Sequence, residues 1–246
     1  MAFYIKFSKP ITSYILKFKM FMGLKLVVSR RKKMVAYPDY IDIRKIGINR
    51  IGLTTEEKFR YSLTIDLKEE IKNVLVVIMM NPSHANEVSS DKTVNRVIDY
   101  AYNNYDKLLI FNALPIVDPS NDKFDNIENL NFHCKKNVEA LTTELELLVK
   151  NDFRIDVLLG TGIPKSSKKI FDRELQNIYK ILYNNRKKIT IKSVSHTINK
   201  LKKKLRNGEY TYHISRKKFQ PSVDLIIKED PMGKYLLKIV DKKSTK

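Results

Sequence analysis

The stretch Asn73-Val74-Leu75-Val76-Val77-Ile78-Met79-Met80-Asn81-Pro82-Ser83-His84 decides how the rest of the chain is read. Its apolar run is too short to span a bilayer and shows no polar alternation. That pattern predicts a strand buried on both faces. Pro82 fixes its own φ and biases Asn81 toward extended geometry, so the run ends in a polar turn. In an open α/β sheet, ligands bind beyond the carboxyl ends of the strands. An amide, a hydroxyl and an imidazole are therefore expected together where a ligand would sit.

Working outward, Phe59 to Leu67 alternates as a half-exposed strand, and Lys107 to Leu114 reads as a second buried strand. Asp156 to Leu159 is a third, stopped by Gly160-Thr161-Gly162, and Lys188 to Val194 a fourth. Helical periodicity covers Asp91 to Asn104, Ile127 to Lys150 and Pro164 to Asn184. Thr197 to Arg206 reads as a very basic helix closed by Asn207-Gly208. Tyr210 to Ile214 and Val223 to Ile227 read as late strands. Helices between buried strands predict parallel pairing with right-handed crossovers. The expected fold is α/β: a three-layer sandwich with a central, mostly parallel four-stranded sheet flanked by helices. Expected organisation is a basic extension at 1–34, one α/β domain at 35–230 and a basic tail at 231–246.

The 246 residues carry a net charge of +20, unevenly spread. Residues 1–34 contribute +9, residues 180–246 contribute +14, and the body between them is at −3. Such asymmetry points to a polyanion, nucleic acid before anionic membrane; the plainer reading is a solvated lysine-rich surface. The stretch from Phe3 to Val28 is apolar but broken by Lys6, Lys9, Lys17, Lys19 and Lys25, so neither a spanning helix nor a signal peptide is expected. Whether residues 1–33 are made is left open, since Met34 begins a more ordinary sequence. The single cysteine, Cys134, cannot form an internal disulfide and fits a reducing cytoplasm.

Three strand ends offer chemistry. The first brings Asn81, Ser83 and His84, followed by Asp91 and Arg96; the second brings Asn112; the third brings the Gly160 turn and Lys165. An amide at a buried strand's end can read a planar heterocycle, because it fixes one acceptor beside two donors. A Gly-rich turn before a helix suits phosphate, although such turns often need glycine only for φ. His84, His133, His196 and His213 fall in no metal-ligand spacing, and no metal or other cofactor is expected. A Ser/His/Asp hydrolase would want a Gly-x-Ser-x-Gly elbow, which the chain lacks.

Two resemblances add to this reading. Asn81-Pro82-Ser83, Asp91-Lys92-Thr93-Val94-Asn95-Arg96 and Leu109-Ile110-Phe111-Asn112-Ala113-Leu114, ending in Asp118-Pro119, resemble the bacterial and phage family catalogued as domain of unknown function 1643. That resemblance covers roughly residues 59–165 and supplies no activity. The order of motifs is also similar to the uracil-DNA glycosylase superfamily. Its first motif reads Gly-Gln-Asp-Pro-Tyr-His, or Gly-Ile-Asn-Pro-Gly in the mismatch-specific branch; Met79-Met80-Asn81-Pro82-Ser83-His84 stands in the same place. Its base-reading Leu-Leu-Leu-Asn strand is similar to Leu109-Ile110-Phe111-Asn112, and its Leu-Leu-Trp-Gly turn to Val157-Leu158-Leu159-Gly160. Its His-Pro-Ser motif has no counterpart here. The nearest matches are Gln220-Pro221-Ser222, or His196, so whether His196, His213 or Gln220 fills the leaving-group role stays open.

What the second resemblance implies is a glycosylase-like enzyme that hydrolyses the N-glycosidic bond of a flipped pyrimidine in double- or single-stranded DNA. Asn81 would position and polarise water, because an amide cannot accept a proton as a carboxylate would. His84 or Asp91 would supply basicity. Ser83 stands where the uracil branch carries a Tyr that crowds C5, which leaves room for a hypermodified base and suggests an anti-phage setting. Ser83, Asn112 and Gln220 would contact the base. Arg96, Lys165, Lys202, Lys203, Arg206 and Ser222 would hold the DNA backbone, with Phe219 able to stack on bases. A cytoplasmic monomer without a membrane anchor is expected. The alternatives are a non-catalytic nucleic-acid-binding module on the same fold and a hydrolase of free nucleotides or nucleosides.

Overall fold

The structure is a computed structural model that describes residues 35–51, 59–117, 129–164, 168–194, 205, 208–214 and 223–240. The decisive stretch forms β3 (Asn73–Met79), in which every residue after Asn73 is buried. Its side chains alternate between two apolar layers. Val74, Val76 and Ile78 pack into one layer, and Leu75, Val77 and Met79 into the other. This double burial is why the run shows no polar alternation.

Around β3 lie β4 (Lys107–Asn112), β5 (Arg154–Leu159) and β6 (Ile189–Ser193), which pair in parallel. The connections are α1 (Lys92–Tyr102), α2 (Leu130–Lys150) and α3 (Lys168–Asn184). Helix α1 buries Val94, Val97, Ile98 and Ala101 on the Leu75 face, with Tyr37, Ile41 and Ile46. Helices α2 and α3 cover the Val76 face through Leu130, Cys134, Leu141, Phe171, Leu175 and Ile178. The connection from β3 to β4 moves one way along the sheet; those from β4 to β5 and β5 to β6 move the other way. Right-handed crossovers then demand helices on opposite faces. The reversal places a topological switch point between β3 and β5.

The sheet is larger and more mixed than expected, which corrects the four-stranded, mostly parallel reading. Eight strands run in the order β1-β2-β4-β3-β5-β6-β7-β8. Strands β1 (Ile46–Ile51) and β2 (Phe59–Asp66) add antiparallel beside β4; β7 (Val223–Glu229) and β8 (Tyr235–Ile239) add antiparallel beside β6. Both outermost strands escape the sequence reading for a physical reason. β1 contains Gly47, Asn49 and Arg50, and β8 lies where a basic tail is expected. The β7–β8 turn carries its own signature: Asp230 Oδ1 accepts from Met232 N at 2.9 Å and Lys234 N at 2.8 Å, and Gly233 adopts φ 77°. β2 is not half-exposed either; its first five residues are all buried.

Tyr210 to Ile214, read as a strand, joins no ladder. It is held by side chains: Tyr179 Oη donates to Glu209 O at 2.9 Å, and Thr211 bonds to Thr161. Ile214 lies so close to Gly160 that a Cβ there would fall 2.1 Å from Ile214 Cγ1. High β-propensity here serves packing rather than pairing.

Candidate functional site

The carboxyl ends of β3, β4 and β5 are tied by backbone bonds. Ala113 N donates to Met79 O at 2.8 Å, Leu114 N to Met80 O at 3.0 Å, and Gly160 N to Ile78 O at 2.9 Å. The chain leaving β3 therefore carries Asn81, Ser83 and His84 out between β4 and β5. All three are half-buried. The Asn81 amide donates to Pro82 O over 3.5 Å, a marginal bond, and Ser83 Oγ accepts from Ala85 N at 3.4 Å. The polar atoms of Asn81 and Ser83 are thus weakly engaged within the turn.

Asn112 stands at the end of β4, in register with Met79. It is fully buried, and neither its amide nitrogen nor its carbonyl oxygen has a hydrogen-bond partner. Its backbone carbonyl accepts from Asn137 Nδ2 at 2.8 Å, which pins the strand end to α2. A buried amide with both ends open costs on the order of 1–3 kcal/mol, so it marks a place where a partner belongs.

From the other side comes His213. A Cβ built on Gly162, whose φ is 72°, would fall 2.9 Å from His213 Cβ and 3.3 Å from Met80 Cε. His213 thus stands against the end of β5 and beside the residue that precedes Asn81. Thr161 anchors this segment, its N–H donating to Thr211 Oγ1 at 3.1 Å. That N–H is consequently used internally.

Asp91 has a different place from that of a free base. Its Oδ1 caps α1, accepting from Thr93 N at 2.5 Å and Val94 N at 3.0 Å, while Oδ2 is buried without a partner. Arg96 lies half-buried on α1. Gln220, Ser222, Lys165, Lys202, Lys203, Arg206, Phe219 and His196 lie outside the described residues.

Sequence reasoning misses Arg60. Phe59 and Tyr61 belong to the α2/α3 layer, whereas Leu63 and Ile65 belong to the α1 layer. The switch is a β-bulge: Asn49 pairs with Ser62 and Arg50 with Arg60, leaving Tyr61 extra. Arg60, between two residues of the α2/α3 layer, reaches the opposite face, where its Nη1 donates to Ala85 O at 2.7 Å. It is 2% exposed. Burial pushes its guanidinium pKa down to about 10, with Asp91 and Tyr37 partly opposing. Tyr37 Oη donates to Asn86 O at 2.8 Å, bracing the same turn. The sequence does not single it out, since Arg60 falls in step with Ser62, Thr64 and Asp66 on the polar side of the alternation.

Among the described residues, no group of three or more His, Cys, Asp or Glu is placed to hold a metal ion, and no helix is long and apolar enough to cross a membrane. No curated protein and no solved structure matches the chain significantly. A family model described as a protein of unknown function, DUF1643, matches residues 60–210, from the bulge arginine through the segment that leads to His213. The match spans most of the chain and all three strand ends: the protein belongs to the DUF1643 family.

Proposed function

We propose that the strand-end site excises a base from DNA in the manner of a glycosylase. The observation that carries this reading is Asn112, a wholly buried amide with both ends unpaired at the carboxyl end of a central strand. Such a group suits the acceptor-and-donor edge of a planar base flipped out of its stack. In the reaction, water oxygen bonds to C1′ while the C1′–N electron pair leaves with the base. The proton lost by water is taken up by the departing base. The oxocarbenium-like state needs a held water and donors toward the base anion. Asn81 positions the water, His84, three residues on, relays the water's proton toward the base on which it ends, and His213 faces that departing base from the β5 side. Ser83 leaves space for a substituent at C5, which favours a modified pyrimidine and a role in phage–host conflict. The basic segments at both ends supply backbone contacts.

The test is abasic-site formation by the full-length protein on DNA with unmodified and C5-modified pyrimidines, read as alkali-labile strand breaks. Asn81→Ala should lower the rate on the order of 100-fold. Absence of abasic sites from the native protein on every DNA would overturn the reading. A hydrolase of free nucleosides is separated by salt, because DNA turnover weakens steeply as salt rises and nucleoside turnover does not.

A further inference from the structure

The guanidinium of Arg60 has one edge in use and one edge open. Nη1 is spent on Ala85 O, but Nε and Nη2 are buried without hydrogen-bond partners. Those two N–H groups form the side-on fork of arginine, the geometry that grips two oxygens of one carboxylate or phosphate. No carboxylate lies within ion-pairing distance of it among the described residues. Asp91 acts on Arg60 only through space, and its charge is partly spent on the amino terminus of α1. The balance around the fork therefore stays on the positive side. Asn112 adds a second fully buried side chain with unpaired polar atoms on the neighbouring strand; Ser62, two residues from Arg60, pairs with Phe111, next to Asn112.

We propose that Arg60 is the anion-reading residue of this site, its Nε–Nη2 fork taking an oxyanion carried by the substrate while Asn112 reads the planar ring. The proposal deepens the glycosylase reading and rests on it for the ligand's class: the substrate would be a pyrimidine nucleotide unit recognised through an oxyanion as well as through its ring. The oxyanion could sit on the base, as a carboxylate at C5, or on the sugar, as a 5′-phosphate. Both present two oxygens to the fork.

Binding can be measured without bond cleavage, so the two readings fail separately. Calorimetric titration of the full-length protein would use 5-carboxy-2′-deoxyuridine, thymidine 5′-monophosphate, inorganic phosphate and neutral thymidine. One of the two nucleoside oxyanions should bind about tenfold or more tighter than thymidine. Which one does so identifies where the substrate carries its charge. Arg60→Lys, which keeps the charge and loses the fork, should erase that preference. Because this variant alters a buried site, an independent measurement uses native protein labelled with ¹⁵N-arginine. A solvent-protected Nε–H signal should shift with the preferred oxyanion and not with thymidine. Equal binding of thymidine and both oxyanions, no binding of any probe, or an anion preference that survives Arg60→Lys would overturn the proposal and leave Arg60 as a brace for Ala85. Preference for inorganic phosphate over both nucleosides would also overturn it, since the ring would then contribute nothing. Oxyanion binding without abasic-site formation would uphold the anion site and sink the glycosylase reading.

Discussion

The two ends of the central strands hold buried polar groups in opposite states. At the amino end, Asp106 is 5% exposed and fully engaged. Its carboxylate accepts from Lys68 Nζ at 2.6 Å, Lys72 N at 3.0 Å, Asn73 N at 2.7 Å and Asn73 Nδ2 at 3.1 Å. At the carboxyl end, Asn112 is just as buried and its amide bonds to nothing. One strand thus begins beside a group that stabilises the fold and ends at one that burdens it. The difference separates residues kept for stability from residues kept for something else.

This contrast can be broken most directly at Asp106. Asp106→Ala would leave three N–H donors and an ammonium without their acceptor, and should cost about 3 kcal/mol in urea unfolding. A loss below about 1 kcal/mol would erase the distinction between the ends. Next in size is Gly160→Ala, whose methyl would strike Ile214. Overpacking of this kind should cost about 2 kcal/mol, and adding Ile214→Ala should recover part of it. No recovery in the double variant would mean that Ile214 is not what Gly160 accommodates. The third change has the opposite sign. Asn112→Leu removes an unpaired buried amide while keeping the number of side-chain heavy atoms, and should leave stability unchanged or raise it by about 1 kcal/mol, while abolishing any base binding. A loss as large as that of Asp106→Ala would show that Asn112 is a structural group after all.

The smallest effect is a pH dependence. Hydrogen bonds from Lys68, Asn73 and Lys72 outweigh the opposing effect of burial and hold the Asp106 carboxyl below the ordinary carboxylate range. A depressed folded pKa means that the stabilisation is complete above the unfolded value, about 4, and is lost as pH falls below it. Stability profiles of native protein and Asp106→Asn should therefore converge on acidification below about pH 4. Parallel profiles would mean that the carboxylate's charge does not matter.

Much of this architecture is written in local pattern. The inner strands are legible because double burial leaves uninterrupted apolar runs, and α1 is legible from Asp91 and the spacing of Val94, Val97, Ile98 and Ala101. The outermost strands are not, because an edge strand is only partly buried and its apolar run is broken, as by Gly47, Asn49 and Arg50 in β1. The segment 210–214 misleads because Tyr, Thr and Ile suit strands wherever they pack. At the site, Asn81, Ser83 and Asn112 announce themselves at strand ends. Arg60 does not, since the bulge at Tyr61 shifts the alternation and depends on pairing with β1, a strand that the local pattern does not announce. His213 is placed by tertiary contact alone.

That placement has a consequence for how the protein is made. Thr161 and Thr211 meet across 50 residues of sequence, whereas β3, α1 and β4 follow one another directly. Closing the longer loop costs more chain entropy and comes after the local unit is in place. On the ribosome, Asn81 and Asn112 can take up their positions before His213 has been synthesised. The nascent chain would then carry a nearly complete sheet core and an unfinished site, and whatever chemistry the site performs would begin only with the last quarter of the chain.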